Sequence, residues 1–358
     1  MGGGGSKYNQ ANVDITHFDV QRVIGIGGFG KVKACLKISG EDKDKWYAMK
    51  LLDKNIAVKN PIGPSQIMNE RNALAPLNSI WIVNSVYCFG DLSFAYIVMD
   101  ICLGGDLRYR MKKSGGKIKE AQCMFYATQI AFAISYIHSQ KMIHCDVKPE
   151  NVVLDSNGYV KLTDFGFAVK TDEKGESVCI GGTAGYMAPE TYCRTRKQGR
   201  PADWFSFGIS VWEMLTGHMP FDRSNIGCGP YLKNFPEGQH LEMSQWPPFL
   251  WGDLDKFAPE TGSLLTALVM INAPERLGSA DDDDVLRHAA FKDIQSGIMA
   301  KTVKPEFLPD ITIANVDTGE EDAMESFGAP PPKKITAEQN LVFDGHNYNN
   351  EFAPTAKK

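Results

Sequence analysis

The sequence lacks several features that would each indicate a particular class of protein. No apolar run approaches the roughly 20 residues that a membrane helix needs, and no signal peptide is recognisable at the start. The formal charge of -5 argues against a nucleic-acid-binding protein that relies on a dominant basic surface. We find no internal repeat. These absences predict a cytoplasmic protein without nucleic-acid partners.

The cysteines lack the short paired spacing of a zinc site or of a disulfide framework. Free thiols in a reducing compartment are therefore the default expectation. The sequence contains eight cysteines: Cys35, Cys88, Cys102, Cys123, Cys145, Cys179, Cys193 and Cys228.

What the chain does contain is enough apolar material for one large core or two lobes, since 43% of its 358 residues are hydrophobic. Its composition changes along four regions. Residues 1–17 are rich in glycine and polar residues and predict a flexible segment. Residues 18–101 are β-rich, residues 102–291 carry longer helical patterns, and residues 292–358 form a polar, proline-bearing tail.

Local patterns place several elements within these regions. The alternation over 31–36, after a glycine-rich stretch, predicts a hairpin, and 46–52 predicts another strand. Helical spacing of apolar residues predicts a short helix over 65–74 and long helices over 121–138 and 204–215. The fold class expected from this mixture is α+β.

Five separated segments carry chemically informative residues. They read GIGGFGKV over 25–32, AMK over 48–50, HCDVKPEN over 144–151, DFG over 164–166 and APE over 188–190. A glycine-rich stretch alone is a weak signal. All five segments together follow the order and spacing of the protein-kinase signature.

Residues 18 to about 300 therefore resemble a eukaryotic protein kinase catalytic domain. The hinge sequence MDICLGGD over 99–106, the run DFGFA over 164–168 and FLP over 307–309 resemble the AGC serine/threonine group. The start MGG, GGDLRY over 104–109 and GYMAPE over 185–190 are similar to the YANK kinases within that group.

The resemblance implies a bilobal protein kinase fold. The catalytic domain would cover 18–291, with a small β-rich N-lobe over 18–101 and a larger, mainly helical C-lobe over 102–291. Residues 292–358 would form an AGC-type C-terminal tail. The implied cofactors are ATP and Mg²⁺, with Mn²⁺ as an alternative metal.

The nucleotide-binding residues are assigned by their places in the kinase segments. Glycines without a Cβ let the backbone approach phosphates, whereas the alternative for these glycines is an ordinary hairpin turn. The assigned ATP-binding residues are Gly25, Gly27, Gly28, Phe29, Gly30, Val32, Ala48, Lys50, Glu70, Met99, Asp100, Cys102, Asp106, Glu150, Asn151 and Asp164.

Lys50, Asp146 and Lys148 are the expected catalytic residues. Lys50 would contact the α- and β-phosphates and would be held by Glu70, although a solvated glutamate on a helix face is the alternative for Glu70. Asp146 would accept the proton of the substrate hydroxyl, and Lys148 would steady the γ-phosphate. By the same resemblance His144 is a packing residue, and we exclude it from catalysis.

Asn151 and Asp164 are the expected metal ligands, because Mg²⁺ prefers oxygen donors. A lone Asp or Asn is more often a turn or cap residue, but the spacing within the kinase segments argues against that alternative here. Three further residues resemble buried structural anchors of the C-lobe: Glu190, Asp203 and Arg276.

Substrate recognition is assigned to three acidic residues and one threonine. Asp106, Glu150 and Glu213 resemble the residues with which AGC kinases bind basic side chains, since carboxylates pair well with arginine. Protein substrates with basic residues upstream of the acceptor are therefore expected. Three unrelated surface acids are the alternative. Lys148 and Thr183 indicate serine or threonine acceptors by analogy with the family.

The activation loop, which in kinases lies between the DFG and APE segments, departs from the family pattern together with its expected partner at position 145. Cys145 stands where most kinases have an arginine that receives the loop phosphate, and Val169 replaces a second basic contact. Cys179 occupies the usual phosphothreonine position, and it lacks the hydroxyl group that such enzymes phosphorylate. We expect uncharged packing to hold this loop and the enzyme to be active without phosphorylation there. Ser177 is a nearby alternative site.

Both ends carry weaker signals. Gly2 to Ser6 fits N-myristoylation and equally fits a Gly-Ser linker left by cloning. A single acyl chain would give only weak, reversible association with a membrane. The sequence FDGHNY over 343–348 resembles the AGC hydrophobic motif, which predicts either a docking tail without phosphate control or a disordered end. The sequence carries no sign of the oligomeric state.

Overall fold

The computed structural model describes residues 13–27, 30–179, 181–192, 197–220, 251–311 and 333–349. The chain forms two compact units. The first unit comes from the chain up to Leu103 and from Ile311 onward, and the second unit is Gly104–Asp310. The first is β-rich and the second mainly helical, which confirms the predicted α+β class.

A six-stranded antiparallel sheet organises the first unit. Its strands are β1 (Phe18–Gly27), β2 (Gly30–Lys37), β3 (Trp46–Asp53), β4 (Ser85–Gly90), β5 (Phe94–Met99) and β10 (Tyr348–Asn349). They lie in the order β1-β2-β3-β5-β4-β10, and the predicted hairpin is β1–β2. One cluster of buried hydrophobic residues, many of them aromatic, packs on the sheet, and full burial of an apolar side chain contributes roughly 1.5–3 kcal/mol.

The helices of the first unit are α1 (Lys54–Ala57), α2 (Gly63–Leu74) and α9 (Ala337–Asn340). Asp53 caps the N-terminus of α1, because its carboxylate accepts hydrogen bonds from the backbone N–H groups of Asn55 and Ile56. The predicted helix over 65–74 is confirmed as α2, which begins two residues earlier and has Pro64 in its first turn. This helix buries Glu70.

Tail residues 333–349 pack onto the first unit. Strand β10 pairs with β4, and Phe343 is buried with the Lys54 ammonium 4.8 Å from its ring centre. His346 is also buried, and its Nε2 donates to the carbonyl of Tyr96 at 3.1 Å. Of the two alternatives for this segment, the described part adopts the docked one.

The second unit is built around two long helices. Its helices are α3 (Leu107–Lys113), α4 (Glu120–Ser139), α5 (Pro201–Thr216), α6 (Pro259–Leu268), α7 (Asp282–Leu286) and α8 (Gln295–Met299). Both long helices predicted from the sequence are confirmed, as α4 and α5. Helix α5 begins with a proline, which needs no N–H partner, and ends at Gly217 with φ +85°.

Two small antiparallel strand pairs flank residues 144–151: β6 (Met142–Ile143) with β9 (Val169–Lys170), and β7 (Val152–Leu154) with β8 (Val160–Leu162). Short 3-10 helices in the two units cover Ile15–His17, Pro149–Asn151, Pro189–Tyr192, Trp251–Lys256, Ala273–Glu275, Ala289–Phe291 and Leu341–Phe343. Among the described residues, no helix has both the length and the apolar character of a membrane span.

Candidate active site

The glycine-rich hairpin lies between β1 and β2. Gly25 is opposite Val32, and Gly27 is opposite Gly30. A Cβ atom on Gly30 would overlap the carbonyl of Leu51 in β3, so the sheet itself requires glycine there. A Cβ on Gly25 would only touch Val32 at 3.4 Å, so packing does not explain that glycine. Two predicted residues lie outside the described part of the chain: Gly28 and Phe29.

Lys50 in β3 forms an ion pair with Glu70 in α2. The Lys50 Nζ donates to both carboxylate oxygens of Glu70, at 2.6 and 2.8 Å. The side chain of Glu70 is 5% exposed and that of Lys50 is 16% exposed, so the alternative of a solvated glutamate is wrong. This ion pair holds the Lys50 amine in one position on the sheet.

The other predicted nucleotide contacts of the first unit lie along the same strands. Val32 is opposite Lys50 in the β2–β3 register, and Ala48 is opposite Met99 in the β3–β5 register. Ala48 and Met99 are both buried. Two further predicted contacts follow β5 in the chain: Asp100 and Cys102.

In the second unit, the buried carboxylate of Asp203 holds the start of the predicted catalytic loop, residues 144–151. It accepts the backbone N–H of His144 at 2.7 Å and that of Cys145 at 2.8 Å. Cys145 has φ +65°, a left-handed conformation that costs roughly 1–2 kcal/mol and needs such support. The His144 ring is fully buried against Phe165, and both of its nitrogens bond to backbone groups, so it packs as expected.

Asp146 is the centre of a hydrogen-bond network. Its carboxylate accepts the Nζ of Lys148 at 2.7 Å and the Nδ2 of Asn151 at 2.9 Å. Thr183 donates to the other oxygen through its N–H at 2.8 Å and its Oγ1 at 2.7 Å, and Lys148 donates to that Oγ1 at 2.6 Å. Asp146 is 2% exposed. The structure thus brings four predicted residues into direct contact.

The predicted metal ligands follow the same loop. Asn151 uses its amide nitrogen for both bonds to Asp146, so its amide oxygen is not spent on them. The N–H of Thr163 donates to the Asn151 carbonyl at 2.9 Å, which holds the start of the DFG segment at Asp164 beside this loop. The described residues contain no cluster of three or more His, Cys, Asp or Glu suited to a metal. This arrangement fits a site in which Asn151 and Asp164 would each supply an oxygen to Mg²⁺ and nucleotide phosphates would supply others.

Comparison with known proteins decides the family. The protein kinase domain family model matches residues 18–289. The chain belongs to the protein kinase family. Its relatives confirm the predicted AGC group, whereas the YANK subfamily stays a prediction.

Three relatives illustrate the similarity. The kinase is 35% identical to human ribosomal protein S6 kinase alpha-2 over 83% of this chain and 39% of the relative. It is 32% identical to cAMP-dependent protein kinase type 3 of Saccharomyces cerevisiae over 86% of this chain and 73% of the relative. It is also 32% identical to a probable serine/threonine-protein kinase of Dictyostelium discoideum, over 94% and 71% of the two chains. The chain therefore spans well under half the length of the S6 kinase.

The acidic residues predicted to recognise substrates already have a partner within the chain. Arg108 donates to both carboxylate oxygens of Glu213, at 2.9 and 2.7 Å, and to Glu150 at 2.9 Å. Burial alone would lower the pKa of Arg108, but the bond to Glu213 and the nearby acidic charges raise it overall. Tyr186 contacts both Arg108 and Glu213. Arg108 thus neutralises part of the negative charge of Glu150 and Glu213.

Asp106 has a different environment from the other two acids. Its carboxylate accepts the N–H of Tyr109 at 2.7 Å and caps helix α3. Burial raises its pKa, and the charge of Glu150 adds to that effect. The structure brings Glu150 and Glu213 together through Arg108, a residue that the sequence interpretation missed. The only signal was a basic residue two positions after Asp106.

The expectation of free thiols is wrong for one pair of cysteines. Cys145 and Cys179 form a disulfide across a sequence separation of 34 residues. They lie in an apolar cluster with Ile143, Phe167 and Val169. The four other cysteines in the described chain are thiols: Cys35, Cys88, Cys102 and Cys123.

Two of the three expected anchors of the second unit, Asp203 and Arg276, are buried, whereas Glu190 is partly buried. Arg276 pairs with Glu190 at 2.6 Å, and the Arg276 side chain is fully buried. The imidazole of His138 bridges Asp203 at 2.9 Å and Asp282 at 2.7 Å. His138 was missed by the sequence interpretation, because a histidine on an apolar helix carries no sign of distant partners.

Proposed function

We propose that this kinase transfers the γ-phosphoryl group of ATP to serine and threonine hydroxyls of protein substrates. The observation that carries the proposal is the buried Asp146 carboxylate, oriented by Lys148, Thr183 and Asn151. Asp146 accepts the proton of the attacking hydroxyl, and Lys148 places positive charge near the transferred group. Since the transition state is loose, positioning and positive charge supply most of the catalysis.

The ion pair of the first unit supports the nucleotide part of this proposal. The Lys50 amine binds the α- and β-phosphates, and Glu70 holds that amine in one orientation. Glu70 is itself buried and both of its oxygens accept from Lys50, so the lysine position is tightly restrained. Gly25 and Gly27 let the hairpin backbone approach the phosphates.

Asn151 and Asp164 are the residues that would hold Mg²⁺, or Mn²⁺ in its place. Both provide the oxygen donors that these hard cations prefer. When bound, the metal neutralises charge on the nucleotide phosphates. The residues of the chain supply the rest: Asp146 holds the proton, and Lys50 and Lys148 orient the phosphates.

The substrates proposed are proteins with basic residues upstream of the acceptor. Asp106, Glu150 and Glu213 support this preference, because carboxylates bind arginine with good geometry. Arg108 offsets part of their charge, so a substrate arginine must share or replace the bonds that Arg108 makes. We expect Thr183, which bonds to Asp146 and Lys148, to support serine or threonine as acceptors.

The kinase works without phosphorylation of the activation loop. The side chains of Cys145, Val169 and Cys179 lie in one apolar cluster, and two of them form the disulfide, so this described cluster supplies no cation to pair with a phosphate. Activity should be equal before and after phosphatase treatment. A large loss that is reproduced by Ser177→Ala would contradict this part of the proposal.

The proposed location is the cytoplasm. The Gly2 to Ser6 segment, which lies outside the described residues, would add weak membrane association if it were acylated. Mass spectrometry of the N-terminus of the natural protein tests this point directly.

The central experiment compares wild type with Asp146→Asn on matched peptides. Each peptide carries upstream arginine and differs only in the acceptor, which is serine, threonine or tyrosine. Wild type should label the serine and threonine peptides with Mg-ATP, and Asp146→Asn should lose this transfer. Asp255→Asn, an exposed carboxylate in the 3-10 helix Trp251–Lys256, is the control. ATP binding without any transfer by wild type would favour a scaffold with a kinase fold instead.

A further inference from the structure

The disulfide between Cys145 and Cys179 joins two segments that matter for catalysis. Cys145 directly precedes Asp146 in the catalytic loop, and Cys179 lies four positions before Thr183 in the chain. The Cα atoms are 6.4 Å apart, within the usual range for a disulfide. The bond therefore links the loop that carries Asp146, the proposed base, to the segment that carries Thr183, which donates hydrogen bonds to Asp146.

Both ends of this bond are held by independent contacts. The Cys145 backbone is fixed in its left-handed conformation by the bond from its N–H to Asp203. Two residues before Cys179, Ser177 exchanges backbone hydrogen bonds of 2.8 and 2.7 Å with Gln198. The two sulfur atoms thus meet because the surrounding backbone is restrained on both sides.

The side chains that pack against the pair are apolar. Ile143, Phe167 and Val169 surround it, and Cys145 and Cys179 are only 7% and 3% exposed. Such a site cannot stabilise a phosphate, but it can shield a sulfur–sulfur bond. The bond also joins the two chain positions at which the family resemblance expects an arginine and a phosphothreonine. A covalent link therefore occupies the place of an ion pair.

We propose that Cys145 and Cys179 form a reversible thiol–disulfide modification site that controls the order of the activation segment. The disulfide state holds Thr183 against Asp146 and Lys148, and the dithiol state releases the segment. In the reducing compartment that we propose for this chain, a disulfide is expected to be transient and regulatory. The activity readout rests on the proposed kinase function, whereas formation of the bond does not.

The chemistry balances with a small-molecule disulfide as the oxidant, of which glutathione disulfide is an example. One cysteine thiolate attacks the oxidant, forms a mixed disulfide and expels a thiolate. The second cysteine then attacks the protein-bound sulfur, closes the Cys145–Cys179 bond and expels the second thiolate. Two protein thiols lose two electrons and two protons, and the oxidant becomes two thiols. Because the pair is buried, each exchange requires the segment to open first.

The test equilibrates the purified full chain in buffers with different ratios of glutathione to glutathione disulfide. Alkylation and mass spectrometry give the fraction of the Cys145–Cys179 bond at each ratio. Transfer to a serine peptide is then measured before the thiols re-equilibrate. We expect kcat to follow the oxidised fraction and to fall at least about fivefold on full reduction, a usual size for coupling between sites. Limited proteolysis should cut the activation segment faster in the reduced protein.

Variants separate this site from other thiols. Cys145→Ser and Cys179→Ser should each match reduced wild type and should not respond to the buffer ratio. Cys35→Ala, which alters a buried thiol of β2, should respond like wild type. Since the wild-type titration needs no substitution, a variant that fails to fold leaves the test intact.

Two results would overturn the proposal. The first is that both cysteines are alkylated at every buffer ratio, so that no bond forms. The second is that the bond forms but changes neither kcat nor the proteolysis rate. If the bond forms and alters proteolysis while no peptide is ever labelled, the proposed kinase activity fails and the modification site stands.

Discussion

The guanidinium of Arg108 binds the carboxylate of Glu213 through two parallel hydrogen bonds, at 2.9 and 2.7 Å. The Glu213 side chain is only 8% exposed, whereas that of Arg108 is 35% exposed. A buried carboxylate is thus satisfied by an arginine that solvent can reach. A substrate arginine could take over this pairing only if Arg108 moved or were absent.

Removal of Arg108 should sharpen the preference for basic substrates. In Arg108→Ala, Glu150 and Glu213 lose their cationic partner, although Glu213 keeps the bond from the Tyr186 hydroxyl, and both acids become available to an arginine of the peptide. The ratio of kcat/KM for peptides with and without upstream arginine should rise about tenfold, the worth of one charged hydrogen bond. Steady-state kinetics on the two peptides measure this ratio. The control is Arg287→Ala, which breaks an exposed pair with Asp283. An unchanged ratio would show that these acids do not read the substrate.

Loss of the charge on Glu70 should impair nucleotide use without removing the catalytic base. Glu70→Gln keeps the shape of the side chain but weakens its hold on the Lys50 amine. Small misplacements of a catalytic group cost roughly 100-fold in rate, so kcat/KM for ATP should fall by about that factor. Glu275→Gln, in an exposed position, serves as the matched control. Wild-type kinetics in Glu70→Gln would refute the role of the ion pair.

Docking of the tail should weaken in acid because of His346. Burial lowers the pKa of His346 to about 4, and the charges of Lys54 and Arg71 lower it further. The hydrogen bond to the Tyr96 carbonyl acts in the opposite direction. Its Nδ1 has no hydrogen-bond partner among the described residues. As the pH falls below about 6.5, His346 therefore binds a proton more readily in the undocked tail than in the docked tail. Each further pH unit towards 4 should weaken docking by up to about tenfold.

Hydrogen exchange of residues 335–349 measures this effect as a protection factor. Protection should be high near neutral pH and should fall in acid for wild type. His346→Phe removes the titrating group and should keep its protection over the same range. His17→Phe changes a partly exposed histidine of the same unit and should behave as wild type does. Equal acid sensitivity in His346→Phe would assign the effect to another group.

The stability of the second unit should fall in base because of His138. Burial alone would lower the pKa of His138, but bonds to Asp203 and Asp282 raise it to about 9, above the ordinary 6.5. Arg200, which pairs with Asp282 at 3.4 Å, is a nearby positive charge. The folded state holds this proton more tightly than the unfolded state does. Its contribution is complete below about pH 6.5 and is lost as the pH rises through about 9.

Urea unfolding across this range checks the prediction. The free energy of unfolding of wild type should fall with a slope of up to about 1.4 kcal/mol per pH unit. His138→Gln should start less stable and should lack this slope. His218→Gln, at a more exposed histidine of the same unit, is the control. A slope that persists in His138→Gln would contradict the assignment.

Local pattern was enough to predict much of the fold. The alternation after the glycines predicted β2, and the apolar spacing over 121–138 and 204–215 predicted α4 and α5. Asp146, Lys148 and Asn151 lie within one short loop, and the kinase signature of residues 144–151 implied their roles. In each case the physical cause lies within a few residues of chain, where backbone periodicity and turn geometry determine which side chains are neighbours.

Other relationships depended on distant parts of the chain. Arg108 and Glu213 are 105 residues apart, and the sequence interpretation assigned Glu213 to substrate recognition without identifying this pair. His346 lies 250 residues from Tyr96, and the choice between docked and disordered stayed open until the structure was known. The Cys145–Cys179 bond was missed because a separation of 34 residues has no characteristic spacing.

By itself the sequence determined the elements, the kinase signature and the residue types available for phosphoryl transfer. Only the tertiary structure decided which charges are already paired, which cysteines meet and which histidine of the tail is buried. The physical reason is that pairing and burial depend on the packing of segments that are far apart in the chain. Their contact is set by the whole core and not by any local pattern.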